Sequence, residues 1–446
     1  MLKRVEKQNL KDLKDACVLA KDAKFPSPFD SKLEFSCSAR GPWNIVHTGM
    51  LIPQAHEVYV CAQSCLRGVV LTAAEMNAID RFSNIIVREN NILEGNTEDL
   101  IVEGMGDILE KLPYTPRAIL VYTSCIHHFI GCDLNLVYKR LREKYPNVEF
   151  TDCYMNPIMR KSGLTPDQLM RRQLYSLLDK QDLDSKSVNI IGNNLKTDDD
   201  SELVKIIREN GFTLREVPRT KTYDEYKEMG KSFLNITYNP AAIEAGRYLE
   251  EKLGQKHLYL PLSYRFDEIE KTLDTLCENL GIEKIDFTSN KKQALEALKK
   301  AKEVIVDTPI EIDYTLTLRP ASLARLLLEN GFNVVSIYED CFAGEEEEDF
   351  KWIQENCPNL KIYATVHVKM RFVNRKRDEK LLALGQKAAY FTNNFVNIIE
   401  GGGMYGFSGI IKLCDLMIDA FLNEKDMKKL IQFKGLGCEN YETNCK

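Results

Sequence analysis

The chain has 446 residues, 44% hydrophobic and 28% charged, with a formal net charge of −6. This composition excludes disordered, collagen-like and fibrous chains. It offers no global basic field for nucleic acid, and no apolar run approaches the ~20 residues that span a bilayer. The 13 cysteines stand in a chain long enough to bury roughly three quarters of its unfolded surface, so disulfide staples are not needed for stability.

Residues 1–24 predict a charged amphipathic helix. Basic residues from Lys3 to Lys24 interleave with Glu6, Asp12, Asp15 and Asp22, without the apolar run of a signal peptide. The expectation is a cytoplasmic chain, where disulfides are rare and cysteines serve as buried hydrophobes, catalytic thiols or metal ligands. Pro26 and Pro28 end the first helix. Short β-rich runs follow at 58–60, 118–122, 148–151, 188–191, 213–217, 234–237, 257–260, 304–307, 334–338 and 361–366. Helical patterns lie between them at 97–112, 133–144, 201–210, 241–253, 266–280 and 321–330. Such alternation predicts an α/β chain with parallel sheets flanked by helices.

The tetrapeptide Glu209-Asn210-Gly211-Phe212 recurs as Glu329-Asn330-Gly331-Phe332. Each copy ends a predicted helix, with the glycine at the left-handed C′ position, and each leads into a strand. About three domains are expected at this length. The organisation read from the sequence is an N-terminal helix (1–29) and three Rossmann-like lobes (30–183, 184–296, 297–395) around a central cleft. A C-terminal glycine-rich turn, helix and tail (396–446) follow. The acidic run at 345–349 reads as a solvated helix start.

In open α/β sheets, ligands bind outside the carboxyl ends of the strands. Cys61 and Cys125 follow predicted strands, and Cys37 lies in a loop-like segment; Cys65, Cys132 and Cys153 share the same lobe. No close C-x-x-C pairs suggest a zinc ribbon. Thiolates gathered from separate strand ends suit soft iron and iron–sulfur centres. Three thiolates leave one position open on a cubane cluster, to be filled by Cys65, another residue or a second subunit.

These residues resemble those of the nitrogenase component 1 superfamily. That family includes nitrogenase catalytic subunits, dark protochlorophyllide and chlorophyllide reductases, and the nickel-tetrapyrrole reductive cyclase of methanogens. Cys37, Cys61 and Cys125 are similar in order and spacing to the family's interfacial cluster ligands. Gly401-Gly402-Gly403-Met404-Tyr405-Gly406-Phe407-Ser408-Gly409 is similar to its glycine-rich segment before a helix, and the stretch 238–254 to a helix of nitrogenase subunits. The resemblance spans about residues 35–420. It implies an oxidoreductase that takes electrons from a separate ATP-dependent iron protein through an iron–sulfur cluster (4Fe-4S or a larger shared cluster). It also implies a homodimer or a heterotetramer with a homologous chain. The chain carries no G-x-x-x-x-G-K-[ST] loop, so no ATP site is expected in it. The cofactor cysteine of nitrogenase falls near Thr237 and the cofactor histidine near Val396 or Asn397. The iron–molybdenum cofactor ligands are therefore missing, and an unsaturated substrate other than dinitrogen is implied. The alternative is a scaffold for assembly of a metal cofactor.

Beyond the cysteines, polar residues after strands are candidates for a substrate pocket: His128, Asn193, Asn239, Asp307 and His367. Each has a structural alternative as a turn, cap or packing residue. His127 and His128, directly after Cys125, are candidates for a role near the cluster, as proton donor or hydrogen-bond donor to sulfide, with helix N-terminal packing as the alternative. No proton donor or other catalytic residue is identified from the sequence.

Overall fold

The structure is a computed structural model. It describes residues 15–30, 34, 35, 37, 39, 44–156, 163–373, 379–392 and 402–424. The chain divides into two compact units. One holds Trp43–Lys196 and Ile207–Pro261; the other holds Met1–Pro42, Thr197–Ile206 and Leu262–Lys434.

The first described strand, β1 (Cys17–Leu19), corrects the expectation of a helix over 1–24. A short 3-10 turn, Ala20–Asp22, follows it. Residues 1–14 lie outside the described residues. The reason for the difference is local: Cys17-Val18-Leu19 is the one apolar, β-branched stretch of that segment. It finds a strand partner far along the chain, pairing antiparallel with Lys361–Tyr363.

In the first unit, β2 (Ala55–Cys61), β3 (Phe82–Ile86), β4 (Ala118–Ser124) and β5 (Glu149–Met155) form a parallel sheet in the order β3-β2-β4-β5. Every residue of β2 and β4 is buried, as expected for central strands covered on both faces. Alternation then sorts the side chains. Val58, Val60, Ile119 and Val121 pack into one core cluster, and Tyr59, Cys61, Leu120 and Tyr122 into the other. The chain leaves β2 toward β3 on one side and returns to β4 on the other. The strand order therefore reverses between β2 and β4.

The same unit holds a second parallel sheet of β6 (Asp184–Ile190), β7 (Thr213–Glu216), β8 (Ser232–Thr237) and β9 (Lys256–Tyr259), in the order β7-β6-β8-β9. Its topology repeats that of the first, with the reversal between β6 and β8. The other unit holds β10 (Ile310–Asp313), β11 (Val334–Tyr338), β12 (Lys361–Tyr363) and β13 (Leu382–Leu384), which pair in parallel, with β1 added at the edge. Its reversal lies between β10 and β13. Both glycines of the repeated tetrapeptide adopt the left-handed conformation, Gly211 at φ 76° and Gly331 at φ 79°.

Two further expectations are corrected. Residues 304–307 do not form a strand, because the helix Thr288–Ile305 takes up 304 and 305 and a turn follows at 306–307. Ala294, Leu298, Ala301 and Ile305 are its buried residues, a helical spacing that keeps the apolar end on the helix. The boundary expected between residues 296 and 297 falls inside this helix. The acidic run at 345–349 does start a helix, Glu347–Asn356, but it is not wholly solvated. Glu346 and Asp349 are buried. Glu346 accepts hydrogen bonds from the backbone N–H of Ala321 and Ser322. It thereby satisfies open donors at the start of the helix Pro320–Glu329.

Candidate functional site

The first sheet places two of the predicted cysteines at its topological switch point, the position where open α/β sheets bind ligands. Cys61 is the last residue of β2 and is fully buried. Cys125 follows β4 directly and opens the short helix Cys125–Ile130. Cys65 lies in the first turn of the helix Gln63–Glu75 and is exposed. Burial pushes the Cys61 thiol up to about 12, and the neighbouring thiols of Cys65 and Cys125 add to the rise. Three sulfurs thus share one electrostatic neighbourhood, where charge on Cys65 or Cys125 opposes ionisation of Cys61. Bound iron relieves that opposition, since a metal-bound thiol is deprotonated outright.

The donor set fits an iron–sulfur cluster in chemistry: soft thiolates at two strand ends, with one more on a helix start. Among the described residues, no group of three or more His, Cys, Asp or Glu side chains is already gathered as an ion site. Two or three thiolates from one lobe match a cluster completed by further ligands.

Cys37 belongs to the other unit. Its buried sulfur accepts a hydrogen bond from Lys387 Nζ at 2.9 Å and lies 3.3 Å from the carbonyl of Ala39. Lys387 also donates to that carbonyl at 2.9 Å.

Next to Cys125, the buried ring of His127 is fixed by the backbone. His127 Nδ1 lies 3.2 Å from the N–H of Ser124 and 3.3 Å from its carbonyl oxygen, so the Ser124 backbone anchors the neutral ring. Burial favours that neutral form. Nε2 finds no partner among the described protein groups. The ring helps to line a pocket of about 280 Å³, together with Thr123, Ser124, His128, Cys132 and Tyr154. His128 is exposed. The remaining first-lobe histidines are structural: His47 bonds Asn44, and His56 bridges Tyr114 and Ser83.

At the switch point of the second sheet, Asn193 donates to Glu216 at 3.1 Å, and Asn239 caps the turn Pro240–Ala242 through the N–H of Ala241. Gly192, at φ 84°, approaches Ala242 so closely that an added Cβ would lie 2.0 Å from the alanine methyl. Thr237 ends β8, and its hydroxyl bonds His257 Nε2 at 2.8 Å. Val396 and Asn397 lie outside the described residues.

In the third sheet the expected strand-end role of Asp307 is corrected. It sits past a helix end, with its side chain 87% exposed and paired to Lys302. The carboxylate that does end β10 is Asp313, fully buried and pushed up to about 6 by burial. It accepts from the N–H of Thr315 at 2.6 Å and of Ala388 at 2.6 Å. His367 caps the 3-10 turn Val368–Phe372, accepting from the N–H of Lys369. Lys387 and Asp313 were not singled out from the sequence. A signal for Asp313 exists in the alternation Ile310-Glu311-Ile312-Asp313, whereas a lysine ordinarily reads as solvated.

The segment before the last described helix, Gly406–Leu422, is tied down by Glu202. That carboxylate accepts from the N–H and hydroxyl of Ser408 and from Asn290. Among the described residues no helix is long and apolar enough to cross a membrane.

Comparison with solved structures finds a nitrogenase Cp1 structure at pH 6.5 with TM-score 0.62 and 14% sequence identity, over 88% of this chain and 94% of that one. A nitrogenase Cp1 structure at pH 5 gives TM-score 0.56 and 11% identity, over 94% of this chain and 96% of that one. At such identity the likeness is one of fold. No curated protein matches the sequence. The sequence model of nitrogenase component 1 type oxidoreductases matches residues 46–395. The chain therefore belongs to the nitrogenase component 1 type oxidoreductase family.

Proposed function

We propose that the chain is the catalytic component of a two-component reductase in the cytoplasm. In this reading it accepts electrons from a separate ATP-dependent iron protein and reduces an unsaturated substrate other than dinitrogen. Cys37, Cys61 and Cys125 hold an iron–sulfur cluster, with Cys65 as a further ligand candidate. A homodimer, or a heterotetramer with a homologous chain, supplies what one chain lacks. The observation that carries this reading is the pair of cysteines at the reversal of the first sheet, in a chain of this family.

When bound, such a cluster supplies single-electron transfer at low potential. The chain's own residues do the rest. Burial of Cys61 keeps water from its sulfur. The Ser124 backbone anchors the buried His127 ring beside Cys125. The exclusion of dinitrogen rests on Thr237. By the sequence resemblance the cofactor cysteine falls near this threonine, whose hydroxyl is engaged with His257 and offers no sulfur to iron.

The test is reductive turnover of the anaerobically purified protein with a reduced iron protein and ATP. Substrate-dependent oxidation of the iron protein supports a reductase. A scaffold would instead release its cofactor to an acceptor protein without turnover.

A further inference from the structure

A buried polar atom without a partner bears its full desolvation cost, so native interiors leave few of them. His127 Nε2 is one. The residue is only 2% exposed, and this nitrogen makes no hydrogen bond to the described protein groups. The Ser124 backbone anchors Nδ1, which leaves Nε2 to the pocket of about 280 Å³ that the ring lines. One ordered water takes up only ~30 Å³. The pocket comes close to the ~300 Å³ at which small-molecule sites begin.

Strand alternation separates this pocket from the Cys61 thiol. Thr123 and Tyr154 lie on the strand face of Val121 and Phe150, whose core cluster Cys132 and Leu134 pack against. Cys61 belongs with Tyr59 and Tyr122 to the cluster on the other face. The pocket nevertheless sits at the carboxyl ends of β4 and β5, the edge at which open α/β sheets bind ligands.

The lining decides what can enter. None of its residues is Asp, Glu, Lys or Arg. Two carboxylates act on it through space, Glu98 on His127 and Asp152 on Tyr154, and both are engaged elsewhere. Glu98 accepts from the N–H of Asp133 at 2.8 Å and from the Thr97 hydroxyl at 3.1 Å. Asp152 accepts from the Gln173 amide at 2.7 Å and from the Tyr154 hydroxyl. An ionic occupant would lose hydration with no counter-charge in the lining, which is costly. An uncharged polar one would not. Tyr154 gives its proton to Asp152, so its oxygen is left as an acceptor, while His127 Nε2 donates or accepts according to its tautomer.

We propose that this pocket is a binding site for a small uncharged molecule with hydrogen-bonding groups, which pairs with His127 Nε2 and the Tyr154 oxygen. The site lies within one lobe and needs neither iron nor a second chain. It therefore stands apart from the cluster reading.

The experiment follows the fluorine NMR relaxation of three probes of similar size as the full-length, anaerobically purified protein is added. The probes are fluoroacetamide, which is uncharged, fluoroacetate, an anion, and fluoroethylammonium, a cation. Wild type, His127→Leu and Tyr154→Phe are compared. Fluoroacetamide should bind wild type saturably and His127→Leu about tenfold more weakly, the effect of one lost hydrogen bond. Tyr154→Phe should also weaken it. Both ions should bind wild type about tenfold more weakly than the amide, or less well still. No saturable binding of fluoroacetamide to wild type leaves water as the occupant and overturns the proposal. Equal affinity of the amide for wild type and His127→Leu, or equal affinity of wild type for the amide and either ion, overturns it too. If His127→Leu does not fold, Tyr154→Phe decides, and an affinity equal to wild type is again fatal.

Discussion

The first and second sheets share one strand order and one reversal, yet they carry different chemistry at that reversal. The first ends its central strands in sulfur, with Cys61 at the end of β2 and Cys125 directly after β4. The second ends them in a tight glycine turn, a cap and a hydroxyl bonded to histidine. The same backbone thus builds a metal-ready edge in one lobe and a self-satisfied edge in the other. Fold alone therefore does not locate the chemistry; the strand-end side chains do.

The steepest way to break the second edge is Gly192→Ala. The left-handed backbone costs about 1–2 kcal/mol for an L-residue and overpacking about 1–3 kcal/mol more, so a loss of roughly 3 kcal/mol is expected in urea unfolding. Gly211→Ala has similar φ but nothing within 4 Å of the added methyl, so it should lose only the backbone part. Equal losses in the two variants would show that the close approach to Ala242 is unimportant.

The third sheet sharpens the contrast, because its carboxyl edge carries buried acids. Glu339 is pushed up to about 8 by burial, with Glu346 and Asp340 adding to the rise. Since its folded pKa exceeds the unfolded value, the folded state binds the extra proton. Its contribution to stability is then fully present below pH ~4.5 and is lost as pH rises toward 8, by up to about 4 kcal/mol. Glu339→Gln keeps the acceptor for the N–H groups of Asp340 and Cys341 and should flatten that slope. Parallel unfolding profiles for variant and wild type between pH 5 and 8 would count against it.

Thr237→Val removes the hydroxyl from His257 and should cost about 1 kcal/mol, through the lost hydrogen bond to the half-buried imidazole. Iron content should not change. Smallest of all is Asp307→Asn. Breaking its exposed ion pair with Lys302 should change stability by less than about 0.5 kcal/mol. A large fall in turnover from this variant would reinstate the pocket role that its exposure argues against.

Much of this was readable in the chain. The long apolar strands β2 and β4 and the helix Phe266–Leu280 stand out by periodicity, and so do the cysteines that follow the two strands. What escaped did so for physical reasons. β10 is four residues long and buries Glu311 and Asp313, so it looks polar, while the neighbouring apolar residues 304–306 mimic a strand. β13 has three residues, too few for a pattern. β3 alternates weakly, with Asn84 exposed. The Lys387–Cys37 contact joins residues 350 positions apart, a pairing that no local pattern encodes.

The most direct test of the central claim is iron and sulfide analysis of the anaerobically purified protein beside Cys61→Ala, Cys125→Ala and Thr237→Ala. The account predicts about four iron and four sulfide per cubane in the wild type. Both cysteine variants should lose most of it, and the threonine variant should keep it all. Iron content unchanged by Cys61→Ala and Cys125→Ala would contradict a cluster at the reversal of the first sheet.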